Sequence, residues 1–140
     1  MRVHLALRAT FASMVQAWIS KEKRAERKLR RDLRTLVKFV EVYCRNLHEH
    51  APKADARLKV PDLDALSDRA MDLCPACSKL LAHAFVKRVR CPLDPKPTCK
   101  HCPSHCYQPR YREAMRSVMK YSGRRLVLCG RFDYLWHLFF

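Results

Sequence analysis

Residues 74–106 read CPACSKLLAHAFVKRVRCPLDPKPTCKHCPSHC, and this stretch contains six of the chain's eight cysteines. Two pairs have the CxxC spacing, Cys74 with Cys77 and Cys99 with Cys102. Two intervening residues let the chain turn back, so that both thiolates of a pair can bind one soft metal ion. The stretch therefore predicts a metal–thiolate site around which the rest of the chain is arranged.

The composition favours one helical domain with a basic surface. The chain has 140 residues, which suits a single domain, and it has only two glycines. Leu, Ala, Arg and Lys are abundant, and these residues form helices readily. The formal net charge of +16 attracts polyanions such as nucleic acid or an acidic protein.

The N-terminal residues make a poor secretory signal, because Arg8 and Gln16 interrupt the apolar run. No stretch reaches the roughly eighteen consecutive apolar residues of a transmembrane helix. We therefore predict a cytoplasmic protein with reduced thiols. In that compartment clustered cysteines bind metal more often than they form disulfides.

Hydrophobic periodicity predicts an all-α fold, a small helical domain of three main helices around a Cys-rich metal-binding loop. The helices are expected near residues 24–48, 75–90 and 110–121. The apolar stripe of the first is Leu33, Leu36, Val37, Val40, Tyr43, Cys44 and Leu47. The inner side of the second is predicted to hold Cys77, Leu80, Leu81, Ala84 and Phe85.

Residues 1–20 form a predicted N-terminal amphipathic extension that docks on the domain; a membrane-surface helix and a non-native start are the alternatives. Residues 21–140 form the single Cys-rich domain, with a linker at about 49–72. Pro75 is expected at the first helical position of the second helix, where no amide hydrogen is needed. Gly123 is the expected end of the third helix.

Smaller expectations follow from the same patterns. Arg88 is placed among the basic residues that close the last turn of the second helix. His83 is expected on the surface, away from the apolar side.

The loop that follows the second helix has five prolines between residues 92 and 109. The sequence shows no interaction other than metal binding that would hold this loop in place.

The first-choice ligand set is Cys74, Cys77, Cys99 and Cys102. Three further cysteines compete for the metal: Cys44, Cys91 and Cys106. Cys44 and His48 are separated by four residues on one helix, so their side chains can face one point and join the site. The metal is left open between zinc and an iron–sulfur cluster. The C-x2-C-x3-C run is similar to part of a ferredoxin-type ligand set without reproducing its spacing.

The segment Lys21–Arg34 has eight Lys and Arg residues against three acids. It is a candidate contact for nucleic acid or an acidic protein, and a solvated charged helix face is the alternative. The chain has no Gly-rich phosphate loop, no nucleophile elbow and no HExxH motif, so no enzyme is predicted.

Four runs resemble a small bacterial family, the nitrous oxide-stimulated promoter or YgbA-type family. They are YCRNLH from Tyr43, LCPAC from Leu73, CPLDPKPTCKHCPSHCYQPRYRE from Cys91 and VMKYSGRRL from Val118. The resemblance covers about residues 28–140. It implies a cytoplasmic protein made in response to nitric oxide and involved in tolerating nitrosative stress. The family pattern includes the seven cysteines named above with His48, His105 and Tyr107; Cys129 lies outside it.

Two functions remain at this point. The first is a metal–thiolate protein, with iron–sulfur or zinc, that senses or buffers nitrosative stress. The second is a nucleic-acid-binding or regulatory adaptor in which structural zinc supports a basic helix. A steep dependence of nucleic-acid binding on salt would favour the second.

Overall fold

The computed structural model describes residues 2–55 and 71–135, with side chains from residue 12 onward. Its three α-helices are α1 (Arg2–Leu47), α2 (Pro75–Val89) and α3 (Pro109–Leu128). Two short strands, β1 (Ala54–Asp55) and β2 (Asp72–Leu73), pair antiparallel, and 3-10 turns lie at Cys99–His101 and Phe132–Tyr134. The predicted all-α fold of three main helices is confirmed.

Helix α1 is much longer than the sequence indicated. It is one continuous helix of 46 residues that includes both the predicted extension 1–20 and the first predicted helix. Its charged middle continues the helix because Lys, Glu and Arg have good helix propensity and the segment has no Gly or Pro. Residues 12–28 are exposed, and Met14 and Trp18 are 70% and 63% exposed. The described side chains of this half therefore do not dock on the other helices.

The C-terminal half of α1 forms the centre of the core, because α2 and α3 both pack against it. The predicted stripe is largely correct, since five of its members are buried: Leu33, Leu36, Val37, Val40 and Cys44. Leu47, however, is 50% exposed, while Phe39 is fully buried although it was not expected to be. Contact with two helices buries a wider arc of α1 than one apolar stripe.

The strand pair joins the two ends of the predicted linker. Ala54 pairs with Leu73, and Asp55 pairs with Asp72. Most of the predicted linker at 49–72 lies outside the described residues. Leu73 is buried, and the strand leads directly into α2. The pairing thereby brings the start of α2 back to the end of α1.

Helix α2 begins at Pro75, as predicted, and its predicted inner side is buried. Arg88 lies in its last turn, as predicted, and is only 5% exposed. The Arg88 guanidinium pairs with the Asp32 carboxylate of α1 and donates a hydrogen bond to the Pro97 carbonyl at 2.8 Å. An acidic partner on another helix therefore decides the position of this basic residue.

The predicted end of α3 at Gly123 is wrong, because the helix continues to Leu128 and Gly123 is buried within it. The neighbouring Ser122 is also buried, and its hydroxyl donates a hydrogen bond of 2.6 Å to the Phe39 carbonyl of α1. Small side chains at these two positions suit close packing of the two helices.

The chain's other glycine ends α3. Gly130 has a φ of +84°, which an L side chain rarely adopts. Its amide donates to the Val127 carbonyl at 3.0 Å, and the Arg131 amide donates to the Leu126 carbonyl at 2.9 Å. This pair of hydrogen bonds is the Schellman motif that satisfies carbonyls at a helix C-terminus.

His83 is half-buried, so its predicted surface position is wrong. Its ring stacks on Tyr111 with centroids 4.2 Å apart and meets Tyr107 edge-on at 5.1 Å. In the described part of the chain, its Nε2 is buried without a hydrogen-bond partner. Burial, and then the charges of Lys87 and Arg110, lower the pKa of His83.

Protein contacts hold the loop between α2 and α3, residues 91–108, which we name the cysteine loop. The Lys28 ammonium donates to the Lys96 carbonyl at 2.6 Å, and Lys21 forms an exposed ion pair with Asp94. The Lys96 ammonium donates to the Val89 carbonyl at 2.9 Å. Two lysines of the basic segment thus help to fix this loop. A contact of that segment with nucleic acid or an acidic protein stays a prediction.

Candidate metal centre

The last turns of α1 supply two metal donors. Cys44 is fully buried within the helix, and His48 directly follows its end. The His48 amide donates to the Cys44 carbonyl at 3.1 Å, so the helical geometry continues to this residue. The two side chains therefore lie on one face, as their spacing predicted.

The start of α2 supplies two more donors. Cys74 is the N-cap residue, and Cys77 lies in the first turn after Pro75. Both thiols are buried. The Cys74 amide donates a hydrogen bond of 3.3 Å to the Cys44 sulfur, which joins this helix start directly to α1.

We name Cys44, His48, Cys74 and Cys77 the Cys3His group, because all four donor atoms lie within 4.8 Å of one another. The His48 Nδ1 lies 3.4 Å from the Cys74 sulfur and 3.3 Å from the Cys77 sulfur. Tetrahedral zinc places two sulfurs about 3.8 Å apart, and a sulfur and a nitrogen about 3.6 Å apart. The group therefore fits the dimensions of a single soft ion.

The surroundings of the Cys3His group act differently on its two CxxC thiols. Burial raises the pKa of Cys74, but hydrogen bonds, first from the Cys77 amide, lower it to below its ordinary value. Burial raises the pKa of Cys77 strongly, and the neighbouring sulfurs of Cys74 and Cys44 raise it further. The helix start thus favours one thiolate, and a cation is needed to favour a second.

The imidazole of His48 is held in place by an aromatic neighbour. The Tyr43 ring meets it edge-on with centroids 5.4 Å apart, and Tyr121 meets Tyr43 in the same way at 5.8 Å. His48 is half-buried, whereas the three sulfurs are buried. Solvent therefore reaches the Cys3His group on the side of its histidine.

A cleft of about 320 Å³ borders that side of the group. Its lining includes Tyr43, His48, Cys77, Lys79, Arg110 and Tyr111. Two basic side chains in this lining favour anionic or polar molecules over cations. The cleft places small molecules beside His48, and Cys77 lies buried at the same wall.

The other predicted ligands lie elsewhere. Cys91, Cys99, Cys102 and Cys106 belong to the cysteine loop, beyond the end of α2. The first-choice set joined Cys99 and Cys102 to the first CxxC pair; the structure instead joins Cys44 and His48 to that pair. All eight cysteines are free thiols, and Cys129 is exposed at the end of α3.

Sequence reasoning placed His48 beside Cys44 and left open whether it joins the metal site. The signal that identifies it is the CxxxH spacing at a helix end, which presents sulfur and nitrogen on one face. Arg88 and Asp32, which fix the far end of α2, had no local signal. Their pairing depends on how α1 and α2 pack.

None of the helices described, over residues 2–55 and 71–135, is both long enough and apolar enough to cross a membrane.

Comparisons with known proteins agree with the resemblance. A family model described as "Nitrous oxide-stimulated promoter" matches residues 27–140, most of the chain. The chain is 50% identical over 34 residues to "Uncharacterized protein YgbA" of Escherichia coli (strain K12). That match spans 24% of this chain and 29% of the relative. No solved structure matches the chain.

Proposed function

Because the chain belongs to the nitrous oxide-stimulated promoter family, we propose that it is a metal–thiolate binding protein of the nitric oxide response. The Cys3His group holds one zinc ion in this proposal, and the protein has no enzymatic activity. The observation that carries the proposal is the convergence of four soft donor atoms within 4.8 Å. The proposed location is the cytoplasm, where thiols stay reduced.

The spacing of the donors supports zinc over an iron–sulfur cluster at this group. Four donors around one ion must stand close together, as these do. In a four-iron cluster each thiolate binds a different iron, so the cysteine sulfurs stand farther apart than they do around one ion. Three thiolates with one imidazole is also a common donor set of structural zinc.

Each residue has a part in holding the ion. Cys74 offers a thiolate that amide hydrogen bonds at the helix start stabilise. Cys44 comes from the buried face of α1, and the His48 ring is in perpendicular contact with Tyr43. A bound zinc ion would tie the end of α1 to the start of α2 and so stabilise the fold.

The cleft supports a link to nitrosative chemistry. Its lining includes half-buried His48 and the buried Cys77 beside it. An S-nitrosothiol in the cleft can transfer its nitroso group to the Cys77 thiolate and leave as a thiolate itself. The nitrosated sulfur is neutral and no longer a good zinc ligand. The tie between α1 and α2 would then be lost.

The test is the zinc content of the full chain purified under anaerobic conditions. We expect about one zinc per chain, a Cys44→Ser variant with most of it lost, and a matched Cys129→Ser variant that keeps it. Treatment with S-nitrosoglutathione should release zinc from the wild type. A protein without zinc, or a Cys44→Ser variant with the wild-type content, would contradict the proposal.

A further inference from the structure

We propose that the N-terminal half of α1 binds the surface of an anionic lipid bilayer. Its apolar side chains enter the headgroup layer, and the basic segment Lys21–Arg34 lies against the lipid phosphates. This surface goes beyond the proposed function, which uses none of these residues. Residues 12–26 also lie outside the part of the chain that the family model matches, residues 27–140. Membership of the family therefore does not account for them.

This half of α1 has exposed apolar side chains on one face. Met14 and Trp18 are 70% and 63% exposed, and the neighbouring Val15 and Ile19 are 39% and 37% exposed. The spacing of these four residues places them on one side of the helix. The opposite side of the same turns holds small or polar residues, which are Ser13, Gln16, Ala17 and Ser20. The stretch is therefore amphipathic, and its apolar face is open to a partner.

The charge changes abruptly along the helix at residue 21. Residues 12–20 have no acidic or basic side chain, whereas the basic segment has eight Lys and Arg residues against three acids. An apolar face followed directly by a cluster of basic residues is typical of helices that bind anionic lipid. Trp18 lies close to this boundary, and tryptophan favours the headgroup level, where its ring is apolar and its N–H meets water.

The position of α1 in the fold leaves this face accessible. Every residue from 12 to 28 is exposed. The contacts of α1 with the cysteine loop come from the basic segment, through Lys21 and Lys28. From Leu33 onward α2 and α3 cover the apolar side of α1, so the helix must meet a bilayer obliquely. About 22 Å of helix between Trp18 and Leu33 leaves room for that approach.

Charge decides between the partners that could cover this face. A second copy of the chain would bring the same basic segment beside the same apolar face, and like charges repel. A nucleic acid offers phosphates to the basic segment but leaves Met14 and Ile19 in water. An anionic bilayer offers phosphates and an apolar layer together, as this helix requires.

The first experiment is flotation of the full chain with lipid vesicles. Vesicles of phosphatidylglycerol and phosphatidylethanolamine are compared with vesicles of phosphatidylcholine, which have no net charge. We expect the chain to float with the anionic vesicles alone, and the bound fraction to fall as salt is raised. No flotation with the anionic vesicles, or equal flotation with both kinds, would overturn the proposal.

One pair of variants tests the apolar face. Met14→Gln/Trp18→Gln should abolish flotation, because it removes the two most exposed apolar side chains of this face. The matched control is Leu128→Gln, which changes an 87% exposed leucine at the end of α3 and should float as the wild type does. Helical circular dichroism shows that each variant is folded. Flotation of the double variant at the wild-type level would overturn the proposal.

A second pair of variants tests the charge. Lys23→Gln/Arg27→Gln should weaken vesicle binding roughly 25-fold, because each basic residue near an anionic surface contributes a factor of about five. Lys120→Gln/Arg124→Gln removes two exposed charges of α3 and should have little effect. Equal binding by the two double variants would contradict the role of the basic segment.

A third measurement keeps the lipid-binding face unchanged. The chain has two tryptophans, and Trp136→Phe leaves Trp18 as the remaining one. We expect its emission to move to shorter wavelength, and its quenching by acrylamide to fall, when anionic vesicles are added. The same shift with duplex DNA, or with rising protein concentration alone, would show that nucleic acid or a second copy covers the face. Either result would overturn the proposal.

Discussion

The buried Arg88 guanidinium makes Asp32→Asn the most informative stability test. Arg88 is 5% exposed and pairs with the Asp32 carboxylate, whose side chain is 33% exposed. The asparagine keeps a hydrogen-bond acceptor of similar size and removes the charge. Arg88 then remains buried without its counter-ion, while its bond to the Pro97 carbonyl remains.

The magnitude follows from the burial of the two partners. Removal of one member of a fully buried pair costs about 3–5 kcal/mol. Solvent screens the exposed third of Asp32, so we expect a smaller loss of about 2 kcal/mol in the free energy of unfolding. Such a loss is more than a tenfold change in the folding equilibrium, since each 1.4 kcal/mol is about tenfold.

The matched control is Asp94→Asn. Asp94 also pairs with a lysine of α1, but Lys21 and Asp94 are 70% and 68% exposed. An exposed ion pair contributes about 0–1 kcal/mol, so this variant should unfold nearly as the wild type does. The comparison separates burial of the partner from the mere loss of a carboxylate.

The assay is urea unfolding followed by helical circular dichroism, with zinc-saturated, reduced protein and a check that the denaturant slope is unchanged. Trypsin cleavage after Lys100 in the cysteine loop provides a second readout. Asp32→Asn should accelerate it, because Arg88 anchors this loop. Equal stability of Asp32→Asn and Asp94→Asn would refute the reasoning.

Three further predictions concern α3 and its neighbours. Ser122→Ala removes the buried hydrogen bond to Phe39 and should cost about 1 kcal/mol in urea unfolding; no change would mean that this bond does not stabilise the helix pair. Gly130→Ala should cost about 1 kcal/mol by strain at its positive φ alone, because nothing lies within 4 Å of an added Cβ, and an unchanged midpoint would contradict this. The pKa of His83 is lower in the folded protein than in the unfolded chain, so the unfolded chain takes up this proton at a higher pH. The free energy of unfolding therefore falls as the pH drops below about 6.5. His83→Phe should weaken this loss between about pH 7 and 5.5, and an identical pH dependence of unfolding would contradict it.

Local features of the chain were predictable because they depend on nearby residues. Pro75 identified the start of α2, since proline needs no amide partner at the first helical position. The four-residue spacing of Cys44 and His48 correctly placed them on one helical face. Apolar periodicity identified most of the core.

The errors share one physical cause, which is contact between distant segments. Glycine often ends a helix, but Gly123 is buried within α3. It lies beside Ser122, which donates a hydrogen bond to a carbonyl of α1. Arg88 lies in the last turn of α2, as predicted, but its burial beside Asp32 of α1 had no signal in the local sequence. Residue spacing also cannot show that α2 separates the CxxC pair of the Cys3His group from the cysteines of the cysteine loop.

The most direct test of the Cys3His group is X-ray absorption at the zinc edge, on full chain that carries one zinc. The account predicts three sulfur ligands at about 2.3 Å and one nitrogen at about 2.0–2.1 Å. His48→Cys should convert the nitrogen signal to a fourth sulfur. Four sulfurs in the wild type, as an all-cysteine set such as Cys74, Cys77, Cys99 and Cys102 would give, would contradict the account.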